Sequence, residues 1–409
     1  MRLRPDCLRL TLLFTLLGGL AGCASCRLPP PAGGEIVVNT RTDGDQLYAS
    51  VGRSASGETL VVWLDSDAAD HVRGVYGQRY SAAGRPRGRE FQVHTDTSGV
   101  MRRPRVATNA AGASVVVWQR QRGTQIDIVA RIYRPNGRPR GPEIMVRSSA
   151  TNANDEPTPD VAVDAAGAFV VLWAGGLDAC TVQSLQCLDI FGRRFGADGQ
   201  ADGPEFRVNS TRSNNQLGPA IVFALDGGLV AAWSTYEEAT VFARRLTARG
   251  DTVGPEFRVP TAPLGYASQV ALAAMPGGGV AAVWTQGEPG AYRIFLRRFD
   301  GSDAPTDRAD VPVSDDPTAA HTVPRVAADA AGTAVVVWQR GLQPTADVYV
   351  RRFPASGAAG PAVLLGTTTA LGQERPAVAV DAAGRAVAVW QSEGADGSYT
   401  AVVGRWLRE

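Results

Sequence analysis

"DAAGTAVVVWQR" occupies residues 329–340, and the chain returns to nearly the same words at "NAAGASVVVWQR" (109–120), "DAAGAFVVLWAG" (164–175) and "DAAGRAVAVWQS" (381–392). Looser versions bring the number of tryptophan-centred phrases to seven, at Trp63, Trp118, Trp173, Trp233, Trp284, Trp338 and Trp390, between 51 and 60 residues apart. Self-similarity at such a period marks a repeat architecture, in which each unit buries its apolar surface against its neighbours.

The sixth unit shows the content of a repeat. "VPRVAAD" (323–329) alternates as a short strand, and "DAAG" follows as a turn. "TAVVVWQR" (333–340) is apolar and β-branched, as a strand buried on both faces would be. "ADVYVRRF" (346–353) alternates again, and a glycine-containing turn, "PASGAAG", leads into "PAVLLG". This is four short strands per unit with no helical periodicity, which predicts an all-β fold, a β-propeller of four-stranded blades. A β-helix or a stack of sheets is the alternative.

The ends of the repeat array set the blade count. The last unit stops after its third strand, "SYTAVVGRWLRE". "GEIVVNT" (34–40) has no strands before it and matches the fourth strands "GREFQVHT" (88–95), "GPEFRVNST" (203–211) and "GPEFRVPT" (254–261). The N-terminal strand is therefore expected to complete the seventh blade, leaving no exposed sheet edge. In this the chain resembles seven-bladed propellers closed by a strand from the opposite end, over residues 34–409.

The recurring turn has Asp or Asn first and Gly fourth. That suits a type I turn followed by a left-handed residue, with the side chains of Asn109, Asp164, Asp329 and Asp381 (and Ser54 in the first unit) accepting bonds from their own turn. It differs from the Asp-box of sialidase-type propellers, Ser-x-Asp-x-Gly-x-x-Trp, in the spacing from Asp to Gly and from Gly to Trp. The tryptophans are expected in the blade packing, where large rings bury much area.

Arg2, Arg4 and Arg9 precede the short apolar run "LTLLFTLLGGL" (10–20), which has the pattern of an export signal. "LAGC" (20–23) then resembles the bacterial lipobox. The resemblance implies a lipoprotein signal peptide over 1–22, cleavage before Cys23, and acylation of Cys23 with chains such as palmitate. Ser25, in place of an Asp at the second position after the cysteine, implies the outer membrane of a Gram-negative cell, with the periplasmic side and the cell surface both open. Residues 23–33 read as the lipidated cysteine and a tether stiffened by Pro29, Pro30 and Pro31.

Net charge is +1, so no global field favours nucleic acid, and every basic residue is arginine, which excludes Schiff-base and P-loop lysine chemistry. Nothing in the pattern calls for a cofactor or a metal. "DSDAAD" (65–70) hints at calcium, but the EF-hand spacing fails. The propeller is expected to be monomeric.

Antiparallel order places the first-to-second and third-to-fourth turns on one rim, the bottom, and the remaining loops on the top. The bottom turns are short and repetitive, the top loops variable, so the top is the face open to specialisation. The longest top loop (174–189) carries Cys180 and Cys187, expected as a disulfide in an oxidising compartment, with zinc as the alternative; Cys26 has no evident partner. Candidate ligand-binding residues on the top are Asp155, Glu156, Tyr236, Glu237, His321, Arg325, Glu374 and Arg375, with Glu238 beside them. Basic bottom turns (Arg85, Arg87, Arg89, Arg138, Arg140, Arg405 and Arg408) face either anionic headgroups or solvent.

Two functions fit this pattern. One is a membrane-anchored, non-enzymatic propeller that binds a protein or an envelope glycan through its top loops. The other is a carbohydrate-active hydrolase, which needs two carboxylates about 5–9.5 Å apart near the axis.

Overall fold

The computed structural model describes residues 34–409 apart from 68–70, 151–157, 177–187, 212–214, 236–237, 262–264, 315, 317–318, 368–370, 398 and 408–409. It is a seven-bladed β-propeller. Seven antiparallel sheets of four strands follow one another along the chain, and in six of them the strands run in sequence order from the innermost to the outermost. In blade six these are His321–Ala328, Ala334–Arg340, Asp347–Phe353 and Val363–Leu364. The innermost strands of successive blades touch all the way round, blade seven meeting blade one.

The seventh blade is closed as the sequence predicts. Glu35–Val37 pairs antiparallel with the last strand, Thr400–Leu407, so that Glu35 stands opposite Arg405 and Val37 opposite Val403. A side-chain contact repeats the logic of the other blades. Glu35 accepts from the backbone N–H (3.0 Å) and hydroxyl (2.7 Å) of Thr367 in blade six. Glu90 does the same for Thr40, Glu143 for Thr95 and Glu256 for Ser210. The closing strand is thus locked to the preceding blade by the same carboxylate as an ordinary outer strand.

The apolar core is divided into seven clusters, each spanning one blade-to-blade interface. Second strands are buried along their length because both faces meet a neighbouring blade, which is why they read as continuous apolar runs rather than alternating ones. All seven phrase tryptophans are at most 1% exposed. They are core residues, as expected. The eighth, Trp406, lies against Tyr80 with ring centroids 4.9 Å apart.

The recurring turn is a bottom-rim device. Oδ1 of Asp381 accepts from the backbone N–H of Ala383 and Arg385, both at 3.0 Å, and Asp329 accepts likewise from Ala331 and Thr333. Asn109, Asp164 and Ser54 make the same bond to the fifth residue of their turns. The fourth residue has positive φ, +83° at Gly332, which explains the glycine. Neighbouring turns also join hands: Asn109 Nδ2 donates to the Asp164 carbonyl at 2.9 Å.

Arginines stitch the wedges between blades. On the third strands, Arg193, Arg244, Arg297, Arg351 and Arg405 each donate to a main-chain carbonyl at the end of the preceding blade's outer strand, at 2.8–3.1 Å, and Arg131 makes the same bond to Val93. Several also lie beside an aromatic ring two residues on, as Arg297 does with Phe299 and Arg351 with Phe353. This corrects one expectation. Arg405 is an interface residue bound to Leu365, not a free bottom-face cation, and Arg87 is paired with Glu58 at 2.9 Å. Arg408 lies outside the described residues.

Candidate functional site

The innermost strand of each blade enters from the top, and in six of the seven it carries an irregularity near its start among the described residues. Pairing with the second strand slips between Leu47 and Ser50, Arg102 and Arg105, Leu217 and Ala220, Ser268 and Ala271, Thr322 and Arg325, and Glu374 and Ala377. These are β-bulges. The first residue of each has positive φ: Tyr48 (57°), Arg103 (48°), Gly218 (56°), Gln269 (56°), Val323 (52°) and Arg375 (49°). Only the glycine adopts that geometry without strain; Val323, β-branched, is the most costly. Proline follows at 104, 219, 324 and 376. A bulge re-aims side chains, and here it turns them toward the axis.

Register resumes at a position that is equivalent in all seven blades, opposite the residue before the blade tryptophan. It is held by Ser50, Arg105, Asp160, Ala220, Ala271, Arg325 and Ala377. Together with the bulge residues these surround an axial cavity of about 400 Å³ in the upper half of the ring. The small residues leave room for two arginines from opposite sides of the ring.

Two side chains at this level tie blade to blade. Ser50 Oγ accepts from the N–H of Val106 (3.2 Å), and Asp160 Oδ2 from that of Ile221 (2.9 Å). An innermost strand has an unpaired edge toward the axis. Where the position is alanine, no such acceptor stands beside the following blade's N–H.

The charge balance of the cavity is uneven. Arg103, Arg105, Arg325 and Arg375 line it, and Asp160 is the one carboxylate among the described lining residues. Arg105 and Arg325 each donate to the carbonyl of their own preceding proline, at 3.4 and 2.8 Å. Arg375 lies over the Tyr48 ring, 4.8 Å from its centroid. Among the described residues none of these three is within ion-pair distance of a carboxylate. Burial first, and the Arg105 charge second, push the Arg325 guanidinium down to about 9, and burial lowers Arg105 as well. Both remain charged at neutral pH. Burial raises the Asp160 carboxyl against the opposing pull of Arg105.

Of the residues expected on the top face, the structure brings Arg325 and Arg375 together in this cavity. His321 belongs elsewhere. It is 1% exposed, its Nδ1 accepts from Trp338 Nε1 at 3.1 Å, and its Nε2 donates to the Asp316 carbonyl at 2.8 Å. Desolvation lowers its pKa, as suits a neutral ring that accepts an indole hydrogen bond. Glu374 is half-buried beside the bulge, outside the cavity lining. Asp155, Glu156, Tyr236, Glu237, Cys23, Cys26, Cys180 and Cys187 lie outside the described residues. Glu238 comes within 3.8 Å of Arg258. In "DSDAAD", Asp65 is buried as an acceptor for Gln46 (3.1 Å) and a neighbour of Arg73 and Arg41 (each 3.5 Å). No group of three or more metal-ligating side chains occurs among the described residues.

Sequence reasoning missed Arg103, Arg105, Asp160 and Tyr48. The signal was present. Arg105, Asp160 and Arg325 stand at the same distance before Trp118, Trp173 and Trp338, in the phrases "RPRV", "TPDV" and "VPRV". Aligning the units on their tryptophans, rather than reading each as an alternating strand, superimposes these positions.

No protein-family model and no curated protein sequence matches the chain. Solved structures do. A protein of unknown function from Dyadobacter fermentans aligns with TM-score 0.54 and 11% identity over 91% of this chain and 97% of its own. An α-L-arabinanase of Penicillium chrysogenum, complexed with arabinobiose, gives 0.52 and 11% over 91% and 98%. The GH93 α-L-arabinofuranosidase of Fusarium graminearum, also with arabinobiose, gives 0.54 and 10% over 79% and 97%. At these identities the likeness is one of fold.

Proposed function

We propose that this chain is a lipid-anchored envelope protein that binds a glycan in the top mouth of its axial channel. The observation that carries the reading is the cavity itself, about 400 Å³, lined by polar and small side chains from seven innermost strands, six of them re-aimed by bulges. That volume suits one or two sugar rings, within the range of small-ligand sites. A folded partner needs about 800 Å² per side, which the mouth alone does not offer. Propellers of this fold that are described with arabinobiose support a saccharide as ligand. The ring is rigid, so binding costs little ordering entropy. The outer strand of blade seven begins on the bottom rim, so a tether from Cys23 would hold the mouth away from the membrane.

Binding without hydrolysis is the favoured form. A glycosidase of the usual kind needs a pair of carboxylates, and Asp160 is single among the described lining residues and already holds the Ile221 N–H.

The test is retention of the full-length protein, purified in detergent, on a panel of immobilised envelope polysaccharides, with Val323→Trp to plug the mouth. The wild type is expected to be retained on one class and the plugged form on none. Equal retention of the plugged form, or none by the wild type, would overturn axial binding. Incorporation of labelled palmitate, lost in Cys23→Ser, is the corresponding outcome for the anchor.

A further inference from the structure

We propose that the axial cavity is an oxyanion site, in which Arg105 and Arg325, backed by Arg103 and Arg375, hold the carboxylate or sulfate of an acidic sugar. The inference rests on the glycan-binding reading and names the chemical class of the ligand.

Three observations carry it. The first is number: the guanidinium groups of Arg105, Arg325 and Arg375 converge on one axial cavity, beside Arg103, with a single carboxylate among the described lining residues. Like charges in a partly desolvated space repel, and folding alone gains nothing by gathering them. The second is the state of their donors. Arg105 and Arg325 use one bond each on a local carbonyl, so most of their five N–H groups stay open to the cavity. The third is contrast with the rest of the molecule. Arg53 is held by Asp381 (3.0 Å), Arg120 by Asp127 (3.1 Å), Arg245 by Asp303 (2.9 Å) and Arg298 by Asp307 (2.8 Å). Elsewhere the fold gives these arginines a fixed acceptor, and Arg79, which has none among the described residues, lies between the Phe91 and Tyr133 rings. At the axis it leaves the acceptor to come from outside.

The geometry also orders the ligand. A guanidinium fork matches the two oxygens of a carboxylate or sulfate. Arg105 and Arg325 stand on blades two and six, so their forks approach the anion from different sides. Arg375 and Tyr48 lie at the bulge level above them, the guanidinium over the Tyr48 ring. The positive charge of Arg105, Arg325 and Arg375 in a partly desolvated cleft also concentrates anions at its mouth.

The experiment is calorimetric titration of the full-length protein in detergent with three trisaccharides of equal length: an oligouronate, a sulfated neutral sugar and the unmodified neutral sugar. The expected result is at least tenfold tighter binding of one charged probe than of the neutral one. Whether that probe is the uronate or the sulfate identifies the oxyanion. Arg105→Gln with Arg325→Gln should abolish the preference without lowering Tm, since the repulsion it relieves between the two guanidinium groups offsets the attraction to Asp160 that it removes. Equal binding of all three, or a preference retained by the double variant, overturns the oxyanion site and leaves glycan binding standing. Binding of none of the three overturns both.

Discussion

Arg297 and Arg325 stand in neighbouring blades, one on a third strand and one on an innermost strand. Arg297 is 8% exposed, lies beside Phe299 and donates to the carbonyl of Val259 at 3.1 Å. Arg325 donates to its own neighbour Pro324 and otherwise faces a cavity shared with other arginines. The wedge between blades solves the problem of a buried cation with an acceptor built into the fold, and the solution repeats from blade to blade. The axis does not repeat. Its seven equivalent positions hold serine, aspartate, two arginines and three alanines. The molecule keeps its symmetry where stability is at stake and abandons it where a ligand would sit.

The comparison breaks most readily where the ring closes. Arg53 and Asp381 form a buried pair between blades one and seven, with side chains 1% and 0% exposed. Arg53→Met leaves the Asp381 carboxylate with Arg385 alone, and should cost about 3–5 kcal/mol in denaturant unfolding. Burial pushes the Asp381 carboxyl up, but the bonds from Arg53 and from the Arg385 backbone and guanidinium outweigh it and hold the group below the usual carboxylate range, so this stability is present above about pH 4 and is lost as pH falls further. A wedge arginine comes next. Arg297→Met leaves the Val259 carbonyl without its donor and should cost about 1.5–3 kcal/mol.

A smaller effect sharpens the account of His321. In blade four the corresponding tryptophan, Trp233, donates to Gln216 Oε1 at 2.8 Å. His321→Gln should therefore keep neutral-pH stability to within about 1 kcal/mol. The wild-type ring has a depressed pKa, with Asp316, Arg340 and Arg293 around it. The unfolded chain then binds the extra proton first, and stability falls as pH drops below about 6.5. Thermal melts between pH 7 and 5 should show a shallower acid loss for the glutamine variant; an unchanged slope would place the loss on other groups.

The fold was legible because its causes are local and repeated. The apolar run ending in tryptophan, the Asp-Ala-Ala-Gly turn and the glutamate that opens five of the seven outer strands recur often enough to be read as one unit. "GEIVVNT" was recognisable as an outer strand because Glu35 meets Thr367 as Glu90 meets Thr40. The site was legible only in part. Arg325 and Arg375 were expected on the top face, yet their convergence with Arg103, Arg105 and Asp160 depends on bulges in strands scattered over more than two hundred and fifty residues. His321 was misleading for a related reason. Its partner, Trp338, is on the adjacent strand, and pairing register rather than residue type decides that it faces an indole.

The central claim is that wedge arginines serve the fold and axial arginines serve a ligand. It is tested most directly by measuring Tm and oligouronate and sulfated-trisaccharide affinity side by side for the wild type, Arg297→Met and the double variant Arg105→Gln with Arg325→Gln. The account predicts that Arg297→Met melts lower while the folded protein keeps its affinity, and that the axial variant melts no lower but loses the charged probe. An axial variant that melts several degrees lower and still binds the charged probe would contradict it.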